Sequence, residues 1–174
     1  MVQALAFWKA VTVDDSNLLE RFFELLRVHN VRFCLIGGQA VNAYAEPVVS
    51  LDLDVVIASA RVADVEPLLR KQFDVERFEH SLNVSAAGSD LRIQIQLDQR
   101  YGQFPDRARE GRVLGIDLPV AAVEDVLQGK VWAAQDPARR GSKRQKDLAD
   151  IARLIEAQPQ LRPLVPSDVL ARLV

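Results

Sequence analysis

Residues 51 to 57 read Leu-Asp-Leu-Asp-Val-Val-Ile, and the two aspartates in this apolar run constrain the chain more than any other feature. The run has the composition of a buried strand, where Asp is disfavoured. Side chains two apart on a strand point to the same face. Asp52 and Asp54 therefore project together, with Leu51, Leu53, Val55 and Ile57 on the other side. Two adjacent carboxylates repel, and a divalent cation removes the repulsion. Mg²⁺ (or Mn²⁺) suits such oxygen ligands, often one or two carboxylates completed by substrate phosphate. Taken alone, Asp-x-Asp also describes the solvated edge of a strand.

A second feature lies upstream. Residues 31 to 36 read as a short buried strand that stops at Gly37-Gly38. A short helix follows through Ala40, Val41, Ala43 and Tyr44, and Pro47 ends it. Glycine allows a sharp turn and a close approach to a ligand. Backbone N–H groups at a helix start can then hold phosphate. Gly-Gly by itself also reads as a plain tight turn. Thirteen residues separate Gly38 from Asp52, so phosphate donors and metal ligands fall on two strands joined by one short helix.

Around this centre the periodicity predicts helices over 16–28 and 61–71, the first opened by a capping cluster of Asp14, Asp15 and Ser16. Strands are predicted over 82–87 and 90–98, joined by a turn at Gly88-Ser89, with one more over 112–118. In the strand over 90–98, Leu91, Ile93, Ile95 and Leu97 alternate with Arg92, Gln94, Gln96 and Asp98, which gives one buried and one polar face. From about 121 the pattern is helical, over 121–134, 144–157 and 167–173. The expected fold is α/β (α+β): a mixed sheet core over 1–120 flanked by helices, with a helical C-terminal part over 121–174 packed as one unit with it.

Composition narrows the function. With 174 residues and 49% hydrophobic content, the chain can bury a substantial core. A formal net charge of -2 excludes a general nucleic-acid coat, so any polyanion contact needs a local patch. Cys34 is the sole cysteine and sits in an apolar run, as expected of a buried inert thiol. The apolar runs fall short of a membrane span, and the N-terminus lacks signal-peptide character, so no membrane association and a cytoplasmic location are expected. His29 and His80 lack metal-ligand spacing. Trp8 and Trp132 read as packing residues, and Tyr101, Phe104 and Arg107 as an amphipathic turn.

A local basic patch does exist. Five of the eight residues from 139 to 146 are basic: Arg139, Arg140, Lys143, Arg144 and Lys146. Such a run usually marks a solvated helix face. Asp147 and Asp150, with Leu148, Ile151, Leu154 and Ile155, describe a helix that carries charge over an apolar stripe.

Together, Leu35-Ile36-Gly37-Gly38 and Asp52-Leu53-Asp54-Val55 resemble the signature of the DNA polymerase β-like nucleotidyltransferase superfamily. Lys130, Lys146-Asp147 and Asp150-Ile151 resemble its AbiEii-like toxin branch. The resemblance implies metal on Asp52 and Asp54, the triphosphate of an NTP on Gly37 and Gly38, and Lys130 beside the phosphates. It implies that Asp147 orients a basic residue or assists at the site. It further implies an RNA or tRNA acceptor, contacted by the basic residues of 139–146, and a cognate antitoxin protein as partner. The sequence departs from the pattern in two places. Gln94 and Gln96 stand where a third carboxylate is expected, with Asp98 further along. Val48 and Ser50 replace an Arg and a Thr of the toxin branch. The expected function is Mg²⁺-dependent transfer of a nucleoside monophosphate to a hydroxyl, with an inactive nucleotide- or partner-binding module as the alternative and an antibiotic-modifying transferase as a third reading.

Overall fold

The computed structural model describes residues 16–173; Trp8, Asp14 and Asp15 lie outside them. The helices are α1 (Leu18–Val28), α2 (Gly37–Val41), α3 (Val62–Gln72), α4 (Phe104–Arg107), α5 (Val123–Gln135), α6 (Gly141–Ala157) and α7 (Ser167–Leu170). The strands are β1 (Phe33–Ile36), β2 (Asp52–Ile57), β3 (Asp74–Arg77), β4 (Ser81–Ser85), β5 (Arg92–Gln96), β6 (Arg109–Val113) and β7 (Ile116–Val120). They form one mixed sheet of order β3-β4-β5-β2-β1-β7-β6. The fold is thus the mixed α/β arrangement that the patterning predicts.

The order follows from burial. All four residues of β1 are buried, as a central strand requires. β5 keeps one face apolar and one polar, and β2 does the same from Asp52 to Val55 before the buried Val56. Leu53, Val55, Ile93 and Ile95 join Phe22, Leu26, Val65 and Leu69 in one hydrophobic cluster. Val126, Leu127, Val131, Ile151 and Leu154 belong to the same cluster, so the C-terminal helices share the core of the sheet. Tyr44 also donates its hydroxyl to the Ala121 carbonyl at 2.6 Å, at the start of that helical part.

The structure corrects several local expectations. The residue preceding α1 is Asn17, with a left-handed backbone and no side-chain cap bond. The segment 112–118 is not one strand: β6 and β7 form an antiparallel hairpin turning at Leu114 and Gly115, both at positive φ. β3 is a further strand where none is expected. Both unexpected strands, β3 and β6, are sheet edges. They carry Asp74, Glu76, Arg77, Arg109, Glu110 and Arg112, charges that protect an open edge from pairing but erase the apolar alternation of a strand. No helix among the described residues is long and apolar enough to cross a membrane.

Leu53 sits fully buried between the two aspartates. Leu53→Ala is expected to cost about 2–5 kcal/mol through lost transfer energy and a residual cavity, read as a lower denaturant midpoint with unchanged m.

Candidate active site

The antiparallel register of β1 and β2 sets Ile36 opposite Asp54. The next residue, Gly37, therefore abuts the Asp54 side chain. Gly37 has φ +68°, and a Cβ built on it would collide with Asp54 Oδ2. Glycine is required twice here, by backbone conformation and by space. The connection to β2 folds back tightly. Gln39 Nε2 donates to the Ser50 carbonyl at 3.1 Å, and Asn42 clasps Val48 by two hydrogen bonds of 2.7 and 2.9 Å. A Cβ on Gly38 would meet Ser50 Oγ at 3.8 Å. The turn and the aspartate pair thus form one end of the sheet.

β5 runs parallel to β2 and continues the floor of the cleft. Arg92 lies across from Asp52, and Gln94 across from Asp54. Arg92 Nε is 3.1 Å from Asp52 Oδ1. This solvent-facing pair is worth no more than about 1 kcal/mol and leaves Asp52 open to a competing cation. Asp54 is half-buried and carries no hydrogen bond or ion pair of its own among the described residues. Burial raises its pKa from the ordinary 3.8; Lys130 opposes the rise and Asp52 adds to it. Gln94 and Gln96 both face the cleft. Gln96 Oε1 accepts the Asp98 amide at 3.0 Å. Asp98 caps the turn over 99–101 and binds Arg100, whose hydrogen bonds hold its carboxyl below the usual range. It does not line the cleft.

The opposite wall comes from α5 and α6. Lys130 is buried, with Nζ at 3.0 Å from Asp147 and 2.8 Å from Asp150. Spacing of three residues places those two aspartates on one helix face. Arg139 Nε lies 2.8 Å from Asp147 Oδ2, and Arg153 Nη1 lies 2.8 Å from Asp150 Oδ1. Arg153 reaches on to Asn42 Oδ1 at 2.9 Å and to the Glu46 carbonyl, tying α6 to the segment after the glycine turn. Burial pulls the Lys130 pKa down, but Asp150 and Asp147 outweigh it and leave the net shift upward. The ammonium stays charged and fully matched.

The basic segment divides. Arg139, Lys143 and Lys146 line the cleft. Arg140 is exposed at the start of α6, and Arg144 donates to the Asp136 and Pro137 carbonyls at 2.8 and 3.4 Å. It is not one continuous cationic face.

Aromatic residues read from sequence as an ordinary turn also reach the cleft. Tyr101 and Phe104 line it, and Trp132 packs behind them with its ring 5.2 Å from that of Tyr101. A Cβ on Gly129 would stand 3.2 Å from Tyr101 Cε1, so a bare backbone on α5 receives that ring. Burial pushes the Tyr101 hydroxyl up to about 12. Asp125, also on the cleft wall, is held by Arg107 at 2.8 and 2.9 Å. Cys34 lies outside the cleft, buried, its thiol pushed up to about 12 by desolvation. The whole cleft has room for about 160 Å³.

No protein-family model and no curated protein sequence matches the chain. Solved structures do. ANT(2″)-Ia in complex with adenylyl-2″-tobramycin aligns with a TM-score of 0.61 at 13% identity, covering 91% of this chain and 98% of that one. The lincosamide antibiotic adenylyltransferase LnuA, lincomycin-bound, aligns at 0.54 and 14%, covering 81% and 98%. A nucleotidyltransferase-like protein from Paracoccidioides brasiliensis aligns at 0.51 and 17%, covering 82% and 78%. This chain has the nucleotidyltransferase fold. In that fold, the glycine turn and the aspartate pair meet at one end of the sheet, beneath the α5–α6 wall.

The donor set fits a hard divalent cation. Asp52 and Asp54 offer carboxylate oxygens on one face, with the Gln94 amide across from Asp54. No group of three or more His, Cys, Asp or Glu suited to a metal occurs among the described residues. Two carboxylates alone would need further oxygen donors, such as those of a bound phosphate, to complete the shell of such a cation.

Two outcomes follow from these contacts. Lys130→Met strands Asp147 and Asp150 without their shared cation and is expected to cost about 3–5 kcal/mol, measured by denaturant unfolding. Asp54 has a raised pKa, so the folded state disfavours its ionisation. The penalty is absent below the unfolded carboxyl pKa and develops as pH rises through the folded value. Asp54→Asn should therefore raise Tm by about 2–4 °C at neutral pH for each kcal/mol relieved, and the gain should vanish as pH falls toward the ordinary carboxyl range.

Proposed function

We propose that the cleft transfers a nucleoside monophosphate from an NTP to an acceptor oxygen and releases pyrophosphate. The observation that carries the reading is Asp54: a half-buried carboxylate with no hydrogen bond or ion pair among the described residues, pressed against the glycine turn in a cleft that Lys143 and Lys146 also line. Such a charge is costly unless a cation completes it.

Asp52 and Asp54 would hold Mg²⁺ or Mn²⁺, which supplies charge neutralisation at the reacting phosphate. The Gly37-Gly38 backbone lies open to the triphosphate. Lys143 and Lys146 carry no internal carboxylate partner among the described residues and so offer their charge to phosphate. Lys130 acts differently in this arrangement: bound to Asp147 and Asp150, it orients the wall and contributes field without direct contact. Asp147 positions Arg139 in the same way. Tyr101 and Phe104 give an apolar side against which a base or acceptor can rest.

One neighbour is bound to adenylyl-2″-tobramycin and another to lincomycin, which supports a small acceptor for this chain. The divided basic segment supports the same choice over RNA, since tracking a backbone needs cations in series. The toxin reading adds a cognate antitoxin and predicts growth arrest on expression. A binding module without turnover is the second reading, favoured by the amide at Gln94.

The test is incubation of the purified chain with each α-phosphate-labelled NTP and Mg²⁺ or Mn²⁺, beside total RNA or small acceptors. Transfer should occur in the wild type and fall at least about 100-fold in Asp54→Ala, as loss of metal support does. Nucleotide binding with no transfer under any condition supports the binding module instead. Growth arrest lost in an Asp52→Ala, Asp54→Ala double variant supports the toxin role.

A further inference from the structure

The reacting atom of the acceptor can be narrowed, on the reading that the cleft transfers a nucleotide. An alcohol must lose a proton as it attacks phosphorus, so a site for alcohols needs a base or a firmly held second cation beside it. The carboxylates lining the cleft are Asp52, Asp54, Asp125, Asp147 and Asp150. Asp125 is forked to Arg107, Asp147 is shared by Lys130 and Arg139, and Asp150 is shared by Lys130 and Arg153. Asp52 and Asp54 form the metal pair. Directly across from Asp54 stands Gln94, whose amide has no charge and takes no proton. Among the described residues, the acceptor side of the pair therefore offers no free base.

The same strand does offer a cation. Arg92 follows the cleft face of β5 one pleat from Gln94, its side chain 69% exposed and paired with Asp52. When Asp52 is committed to metal, that guanidinium loses its counter-charge and presents a planar fork suited to a phosphate group. The floor beyond is uncharged and hydrogen-bonding. Asn83 lies across from Gln94, and Ser81 across from Gln96. Asn83 Oδ1 is buried without a hydrogen-bond partner among the described residues.

We propose that the acceptor is a hydroxyl-rich phosphate monoester, held by Arg92 beside Gln94, and that its phosphate oxygen attacks the α-phosphorus of the NTP. The new bond joins the acceptor oxygen to the α-phosphorus. The bond from that phosphorus to the oxygen bridging the β-phosphate breaks, and pyrophosphate leaves with the electron pair. The attacking oxygen is already anionic, so no proton is removed, and an amide at position 94 is sufficient. The product carries a diphosphate bridge between the nucleoside and the acceptor.

The experiment offers the purified chain labelled NTPs, Mg²⁺ and two acceptor sets. One holds glucose 1-phosphate, ribose 5-phosphate and glycerol 3-phosphate; the other holds glucose, glycerol and an RNA oligomer with a free 3′-hydroxyl. Label is expected on a phosphate monoester at least about tenfold faster than on any alcohol. Arg92→Gln should raise the acceptor KM about tenfold, the worth of one charged hydrogen bond, with the nucleotide Kd unmoved. Gln94→Glu should slow the monoesters and speed the alcohols. Equal or faster transfer to alcohols overturns the inference and leaves nucleotidyl transfer standing. An unchanged acceptor KM in Arg92→Gln also overturns it. Absence of transfer to either set overturns the inference together with the reading on which it rests.

Discussion

One buried ammonium, Lys130, shared by Asp147 and Asp150, fixes the wall of the cleft and most of what faces it. A charge placed there without partners would be strongly unfavourable, and so would either aspartate alone. The three groups therefore specify one another's positions. α5 and α6 must align so that a single Nζ reaches both carboxylates. Arg139 and Arg153 then take the remaining oxygens, and Arg153 extends the network to Asn42 and the Glu46 carbonyl. The segment after the glycine turn is thereby anchored to the helix that carries Lys143 and Lys146. Floor and wall are held in register by charge matching across a gap that no strand pairing spans.

The floor has the opposite character. Its charges are left incompletely matched. Asp52 has only a solvent-facing partner in Arg92, and Asp54 has none among the described residues. The sheet forces this arrangement, because strand alternation puts both carboxylates on one face and the register sets an arginine and a glutamine beside them. A satisfied wall and an unsatisfied floor give the cleft a direction: the wall resists rearrangement, and the floor keeps carboxylate charge that its own neighbours do not fully compensate.

Much of this was legible in the chain. The Asp-Leu-Asp strand, the glycine turn and the alternation of β5 each carry their own local signal, since burial on one side of a strand leaves a period of two. Helices α1, α3, α5 and α6 show in their apolar spacing for the same reason. β3 and β6 did not show. An edge strand has no second neighbour and buries little, so charged residues such as Glu76 and Glu110 replace the apolar pattern. The hairpin at Leu114 and Gly115 was hidden similarly, because two short strands and a tight turn mimic one longer strand.

The sequence by itself determined the mixed α/β class, the pairing of Asp52 with Asp54 on one face, and the closeness in space of a glycine turn to them. These depend on local periodicity and short connections. Only the tertiary structure decided how the charges were assigned. It turned Lys130 inward to two aspartates, split the basic run so that Arg144 serves backbone carbonyls while Lys143 and Lys146 face the cleft, and removed Asp98 to a capping role. It also brought Tyr101 onto Gly129. The reason is physical: a charged side chain takes its role from the partner that compensates it, and those partners here lie on elements far apart in the chain.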